Sequence, residues 1–132
     1  MVVPSRIVLL TGSRNGITAG FCVALVSASR IDEPHVEAAR RELIEETGFE
    51  AGLIEALTQG PSSSGLTSET VTLFLATQLR RVGEGGGVGH EGITVHEVPL
   101  PQVHRWLEAK SKSGVLVDPK VYAGLYFIGR NK

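Results

Sequence analysis

Three glutamates stand close together in the stretch of the chain whose residue types are best suited to chemistry: Glu42, Glu45 and Glu46. Positions i, i+3 and i+4 of an α-helix lie on one face, where neighbouring carboxylates repel each other by about 0.2–0.5 kcal/mol per pair. We expect no Lys or Arg on that face to neutralise them. Mg²⁺ and Mn²⁺ take carboxylate oxygens and water as ligands, so the cluster predicts a metal site.

The alternative interpretation is that these glutamates form the solvated side of an ordinary amphipathic helix. The apolar stripe of that helix would consist of Val36, Ala39 and Leu43. Glu46 falls beside this stripe rather than opposite it, and a carboxylate at the edge of a core needs a partner. This placement favours the metal site. On the far side of the helix, Glu37 and Arg41 are expected to form an i, i+4 surface pair.

The helix that carries the cluster has clear end signals and is predicted over residues 34–47. Asp32 or Glu33 can cap its start, and Pro34 fits the first helical position, where its missing N–H costs nothing. Gly48 supplies a left-handed stop.

Residues 27–49 resemble the signature of the Nudix hydrolases. That signature reads Gly, five residues, Glu, seven residues, then Arg-Glu-aliphatic-any-Glu-Glu-any-Gly-aliphatic. The chain has Glu33 and, at the required spacing, the run Arg-Glu-Leu-Ile-Glu-Glu-Thr-Gly-Phe at residues 41–49. Every charged position is present. Ser27 stands where the family has its first Gly, which changes the expected shape of the loop but not the carboxylates.

The resemblance implies a set of roles for these residues. It assigns one to three Mg²⁺ or Mn²⁺ ions to Glu42, Glu45, Glu46 and Val26. Arg41 would orient Glu42 and act with it in catalysis. Glu33 and Gly48 would support the loop and the helix. The implied substrate is a nucleoside diphosphate linked to another moiety.

Three further segments resemble the branch of the family that hydrolyses ADP-ribose and sugar nucleotides. Residues 63–69 and 74–76 resemble its Ser-Pro-Gly loop, Glu and strand, with Ser64 at the usual Pro, so Glu69 is expected to bind substrate. Residues 7–14 resemble its first strand, which ends in an Arg that contacts phosphate or ribose, here Arg14. Residues 85–99 resemble its acidic catalytic loop and the strand after it.

Within that loop, Glu91 is the candidate general base. A Glu on a Gly-rich loop can take the proton from a water that attacks phosphorus. The alternative is a disordered connector, because residues 80–92 have the composition of a linker. Relatives tend to carry two acidic residues here, and this chain has Gly89, His90 and Glu91. If the usual base aligns with Gly89, then Glu91, His90 or Glu42 must serve and the enzyme would be slow.

Length and composition predict one domain over residues 1–132 in a reducing, cytoplasmic setting. The net charge of −1 argues against a nucleic-acid-binding surface. Cys22 is the one cysteine, which excludes an internal disulfide. The apolar run after Arg6 is broken by glycines too early to span a membrane. No membrane partner is expected.

The remaining pattern predicts an α/β Nudix fold, with a mixed sheet between helices. Strands are predicted at 6–11, 21–27, 52–57, 69–79 and 93–98, with a loop at 61–65. The strand at 69–79 should be central and covered on both faces. A helix is predicted over 101–112, with Val103, Trp106 and Leu107 as its core stripe, and another after Asp118-Pro119, with Val121, Tyr122 and Leu125 packed inward.

These features favour a divalent-metal-dependent pyrophosphatase that splits ADP-ribose or a nucleoside diphosphate sugar into a nucleoside monophosphate and a sugar phosphate. Two alternatives stay open: a catalytically weak or idle module that binds a nucleotide, and a house-cleaning hydrolase of nucleoside triphosphates. Members of the branch often begin with an extra β segment that mediates dimerisation, whereas this chain begins almost at the first strand. We expect a homodimer whose second subunit completes the pocket.

Overall fold

The computed structural model describes the main chain of residues 2–3, 7–14, 17–26, 35–89 and 93–130, and the side chains of residues 35–89 and 93–130. The strands are β1 (Val2–Val3), β2 (Ile7–Arg14), β3 (Ile17–Val26), β4 (Phe49–Pro61), β5 (Thr70–Arg81), β6 (Glu97–Pro99) and β7 (Leu116–Val117). The helices are α1 (His35–Thr47), α2 (Val103–Lys112), preceded by a 3-10 turn at Leu100–Gln102, and α3 (Pro119–Arg130).

Five strands form one mixed sheet in the order β4-β5-β3-β2-β6, which confirms the predicted sheet type. β2 pairs with β6 in parallel, and the other neighbours are antiparallel. β5 is an internal strand of this sheet, between β4 and β3, and the run from Val71 to Ala76 is buried, as predicted. β1 and β7 form a separate two-stranded parallel sheet, which the sequence pattern did not predict.

Helices cover both faces of the sheet. Residues of one parity on β5, Val71, Leu73 and Leu75, pack with β6, α2 and α3 in a cluster that includes Val103 and Leu107. Phe74 and Ala76, of the other parity, pack in clusters with α1. The predicted sandwich is therefore confirmed, and the β5 side chains divide between the two helical layers because successive side chains point to opposite faces.

Some predicted elements differ from the observed ones. The strand predicted over 93–98 is wrong for most of its length, since only Glu97–Pro99 is extended and paired. β2 continues to Arg14, beyond the predicted end of that strand at residue 11. Tyr122 was predicted to pack inward but is 44% exposed. Within the described part of the chain, no helix is both long enough and apolar enough to cross a bilayer.

Candidate active site

α1 forms and ends as its sequence dictates, and this sets the position of the acidic cluster. Leu43 and Ala39 on its apolar stripe are fully buried. At its end, the Thr47 hydroxyl donates to the Leu43 carbonyl at 2.6 Å and accepts the N–H of Phe49 at 3.2 Å. Gly48 has φ +77°, the left-handed stop that was predicted. The predicted start of the helix, with Asp32, Glu33 and Pro34, lies outside the described residues.

The three carboxylates of the cluster differ in their burial. Glu46 is 4% exposed and lies within the packed layer beneath α1, which confirms its predicted place at the edge of the core. The side chains of Glu42 and Glu45 are 17% and 32% exposed. A buried carboxylate next to two half-buried ones is costly unless charge or hydrogen bonds compensate.

Arg41 supplies part of that compensation, and two predictions about it were wrong. Its Nη1 lies 3.0 Å from Glu45 Oε2 and its Nη2 lies 4.0 Å from Glu42 Oε1. The acidic face therefore does have a basic neighbour. Among the described residues, Arg41 pairs with Glu45, one turn towards the C-terminus, rather than with Glu37. A cation bound by Glu45 must compete with this guanidinium.

Metal binding stays a prediction at this cluster. Within residues 35–89 and 93–130, no three or more His, Cys, Asp or Glu side chains are arranged so that they could hold a metal ion. The donor chemistry nevertheless fits Mg²⁺ or Mn²⁺, because carboxylate oxygens are the ligands that these ions prefer. Val26, at the end of β3 and paired with Thr72 on β5, has only its main-chain carbonyl to offer a cation.

A short glycine-rich segment closes on the last turn of α1, and we call residues 82–87 the glycine clasp. The N–H groups of Val82 and Gly83 donate to the Gly48 carbonyl at 2.8 and 3.1 Å. The N–H groups of Gly86 and Gly87 donate to the carbonyls of Glu46 and Glu45 at 2.8 and 3.0 Å. These bonds occupy carbonyls at the helix end that have no partner within the helix itself.

The clasp was missed by sequence reasoning, which regarded residues 80–92 as either a mobile catalytic loop or a connector. Residues 80 and 81 belong to β5, and the clasp is hydrogen-bonded to α1. The Gly85-Gly86-Gly87 run was the available signal. Consecutive glycines also permit close contact between two stretches of main chain, and that is their use here.

The structure describes the other predicted site residues only in part. Arg14 ends β2 and is the register partner of Ile17 across the β2–β3 hairpin, and its side chain is not among those described. Glu69 accepts a hydrogen bond from the Ser62 hydroxyl at 2.8 Å, which closes the loop between β4 and β5. Ser27, Glu33, His90 and the predicted base Glu91 lie outside the described residues.

Two grooves adjoin α1. One, of about 430 Å³, lies along the outer side of the helix and is lined by Glu37, Arg40, Arg41, Ile44 and Glu45. The other, of about 400 Å³, lies between the start of α1 and the β4–β5 pair, with Phe74, Thr72, Gln59 and His35 among its lining residues. Both are in the size range of small-molecule sites. The first borders the acidic cluster through Arg41 and Glu45.

One titratable group on the α2 side of the sheet has a shifted pKa. Burial lowers the pKa of His96 from its ordinary value of 6.5, and the nearby Lys110 ammonium lowers it further. The His96 ring packs against Trp106 with 5.0 Å between centroids, and Lys110 Nζ lies 5.3 Å from the centroid of the same indole. Trp106 therefore packs within the protein, as predicted.

The chain is similar to curated proteins named GDP-mannose pyrophosphatase. A GDP-mannose pyrophosphatase from Cronobacter sakazakii is 35% identical over 113 residues, which is 84% of this chain and 55% of that protein. GDP-mannose pyrophosphatases from Escherichia coli and Enterobacter sp. are 32% and 33% identical over 121 residues, which is 90% of this chain and 59% of each relative. The chain thus spans 55% to 59% of the length of these curated relatives. No protein-family model matches the chain. No solved structure matches it either.

Proposed function

We propose that the chain is a Nudix pyrophosphatase that uses Mg²⁺ or Mn²⁺ to hydrolyse the diphosphate of a nucleoside diphosphate sugar. The observation that carries the proposal is the carboxylate cluster on the last two turns of α1, in which Glu46 is buried beside the core. The name shared by the relatives, GDP-mannose pyrophosphatase, supports this reaction class. On the basis of that name we propose GDP-mannose, ahead of ADP-ribose, as the substrate. The products would be a nucleoside monophosphate and a sugar phosphate.

In this proposal Glu42, Glu45 and Glu46 hold the cation, together with the Val26 carbonyl. When bound, such an ion neutralises charge on the diphosphate oxygens and lowers the pKa of bound water. Glu45 would exchange its ion pair with Arg41, at 3.0 Å, for the cation. Arg14 and Glu69 are the proposed contacts to the rest of the substrate.

The proposed base is Glu91, which takes a proton from water as the water oxygen bonds to phosphorus and the bridging P–O bond breaks. Residues on either side of Glu91 in the sequence support this role. Gly87 donates its N–H to the Glu45 carbonyl at 3.0 Å, and Ile93 donates to the Gly86 carbonyl at 3.3 Å. The described residues that flank Glu91 are therefore connected by hydrogen bonds to the C-terminal end of α1, directly at Gly87 and through Gly86 at Ile93.

A second candidate is a catalytically weak module that binds a nucleotide. The Arg41–Glu45 pair favours it, since an arginine already occupies part of the acidic face. So does the lack, among the described side chains, of three ligands gathered for a metal.

The deciding experiment is hydrolysis of a panel containing GDP-mannose, ADP-ribose and GTP by the purified protein, with Mg²⁺, with Mn²⁺ and with EDTA. The expected result is GMP and mannose 1-phosphate from GDP-mannose, abolished by EDTA and restored by either ion. Preferred hydrolysis of GTP would point to a triphosphate house-cleaning enzyme. Tight nucleotide binding without turnover would favour the idle module, and turnover in EDTA would remove the metal assignment.

We also propose that the protein is a two-fold homodimer. Support comes from β4, a long strand at the edge of the five-stranded sheet, which has Leu53 42% exposed. An exposed edge of this length tends to be covered or paired. Light scattering at micromolar concentration is expected to give twice the monomer mass, and a monomer alone would contradict the proposal.

A further inference from the structure

The contact between the glycine clasp and α1 depends on residues without side chains. At Gly85, with φ +73°, an added Cβ would lie 2.5 Å from the Thr47 carbonyl carbon and 2.8 Å from the Glu46 carbonyl oxygen. At Gly48, an added Cβ would lie 2.2 Å from the Gly83 carbonyl oxygen. All of these neighbours are main-chain atoms, which cannot rotate away. Two stretches of main chain therefore touch here because both positions are glycine.

The clasp also changes the electrostatics of the helix end. The last turn of α1 contains Glu45 and Glu46 and no basic residue. The carbonyl end of a helix carries partial negative charge, so two carboxylates there are unfavourable. The N–H groups of Gly86 and Gly87 point at the carbonyls of these same two residues and offset that charge. The clasp therefore stabilises the main chain from which both carboxylates project.

We infer that Gly85 is a positioning residue of the candidate active site. By allowing the clasp to close on α1, Gly85 fixes the main chain from which Glu45 and Glu46, two of the proposed cation ligands, project. The inference rests on the proposed function, because the cation site it concerns is part of that proposal. Two of its readouts, cation affinity and amide protection, do not require turnover.

The test is Gly85→Ala, compared with Gly114→Ala as the matched control. Gly114 also has positive φ, +87°, and an added Cβ there meets nothing within 4 Å. Both substitutions impose the same kind of backbone strain, but only the first forces the clasp away from α1. Three quantities are measured: Mn²⁺ affinity by electron paramagnetic resonance titration, hydrogen exchange of the Gly86 and Gly87 amides, and kcat and KM with GDP-mannose.

Gly85→Ala is expected to weaken Mn²⁺ binding by about 10- to 100-fold, the range for residues that orient metal ligands. It should expose the Gly86 and Gly87 amides to exchange, and lower kcat more than it changes KM. Gly114→Ala should leave all three as in the wild type. Should Gly85→Ala fail to fold, Gly86→Ala is the milder variant. Its Cβ would make only an ordinary contact, at 3.7 Å, with the Ile93 carbonyl oxygen, but its positive φ of +95° strains the main chain of the clasp itself. This variant should move the same readouts in the same direction by a smaller amount.

Unchanged Mn²⁺ affinity and protected clasp amides in Gly85→Ala would overturn the inference. Equal losses in Gly85→Ala and Gly114→Ala would also overturn it, because the effect would then be general destabilisation. A wild-type chain that binds no Mn²⁺ would also overturn the inference. A wild-type chain that binds Mn²⁺ but hydrolyses no nucleotide would instead count against the proposed function, while Mn²⁺ affinity and amide exchange still decide the role of Gly85.

Discussion

The two faces of the internal strand β5 differ in the side chains that pack against them. Among the described side chains, nine buried hydrophobic residues form one cluster on the face towards α2 and α3. On the face towards α1 the described clusters are smaller, and the buried residues there include Glu46. The α1 layer is held in part by main-chain hydrogen bonds from the glycine clasp. One face is therefore organised for stability, and the other carries the groups suited to chemistry.

This difference suggests a division of labour within a small domain. Burial of apolar area contributes about 25 cal/mol per Å², so the α2–α3 cluster can offset the repulsion among the carboxylates of α1. Groups placed for chemistry are often unfavourable for folding, as the clustered carboxylates of α1 illustrate. Mutations on the two faces should accordingly separate activity from stability.

The largest expected effect is on catalysis and concerns the proposed base, Glu91. Glu91→Gln keeps the shape of the side chain but removes the base, and should lower kcat by about 10²- to 10⁴-fold. Mn²⁺ affinity should be nearly intact. The measurement is steady-state hydrolysis of GDP-mannose, with Glu55→Gln on an exposed position of β4 as the control. A nearly silent Glu91→Gln would instead move the base to α1, where Glu42 is the alternative.

The next prediction concerns the buried carboxylate of the α1 layer. Glu46→Gln removes one anionic ligand, so the rate should fall by about 100-fold or more and Mn²⁺ should bind more weakly. The neutral amide also relieves repulsion from Glu42 and Glu45, and thermal unfolding of the same samples shows whether the variant is folded. Glu50→Gln, at a position 43% exposed and paired with Arg80, is the matched control. A near-normal rate in Glu46→Gln would place the metal elsewhere.

The third prediction tests the apolar cluster on the α2–α3 face of β5. Leu107 is fully buried in the α2–α3 cluster, so Leu107→Ala should lower the free energy of unfolding by about 2–5 kcal/mol. At temperatures where the variant is folded, kcat should be unchanged. Urea unfolding and kinetics on the same samples measure both. Glu108→Ala, whose side chain is 64% exposed on the same helix, should change stability by less than about 0.5 kcal/mol. A large loss of kcat in folded Leu107→Ala would break the proposed division.

The smallest expected effect is a pH dependence on the α2 side. Burial, and then Lys110, lower the pKa of His96 below 6.5, so the folded state binds this proton more weakly than the unfolded state does. The stability linked to His96 is fully present above pH 6.5 and is lost as the pH falls towards the lowered pKa. His96→Gln should remove this part of the pH dependence of urea unfolding. His104→Gln, at an exposed position, is the comparison variant. Identical pH profiles for wild type and His96→Gln would contradict the assignment.

Several elements could be predicted because their signals are local. The apolar stripe of α1 and the Gly48 stop predicted that helix, and the run at 69–79 predicted a central strand. The last helix was also predicted, and Asp118 accepts the Lys120 N–H at 2.8 Å at its start. Inward packing of Tyr122 was wrong because the buried stripe of α3 runs through Val121, Leu125 and Ile128, at the helical spacing of i, i+4 and i+7.

Other features could not be predicted because they depend on distant contacts. Residues 93–98 have the alternation of a strand, but the Ile93 N–H bonds to Gly86, so that part of the main chain belongs to the clasp region and not to the sheet. The partner of Arg41 was also decided by tertiary structure. Glu37 and Glu45 both lie four residues away on α1, and helical spacing alone does not choose between them.

The sequence by itself determined which residues share a face: three carboxylates on one helix, beside an apolar stripe that must be buried. It did so because the helical period is fixed by main-chain geometry. Only the tertiary structure decided what meets that helix. Main-chain N–H groups of a glycine segment, forty or more residues further along the chain, bond to the carbonyls of Glu45 and Glu46. Every non-proline residue carries the same N–H donor, so such a contact leaves no side-chain signature except the glycines that permit it.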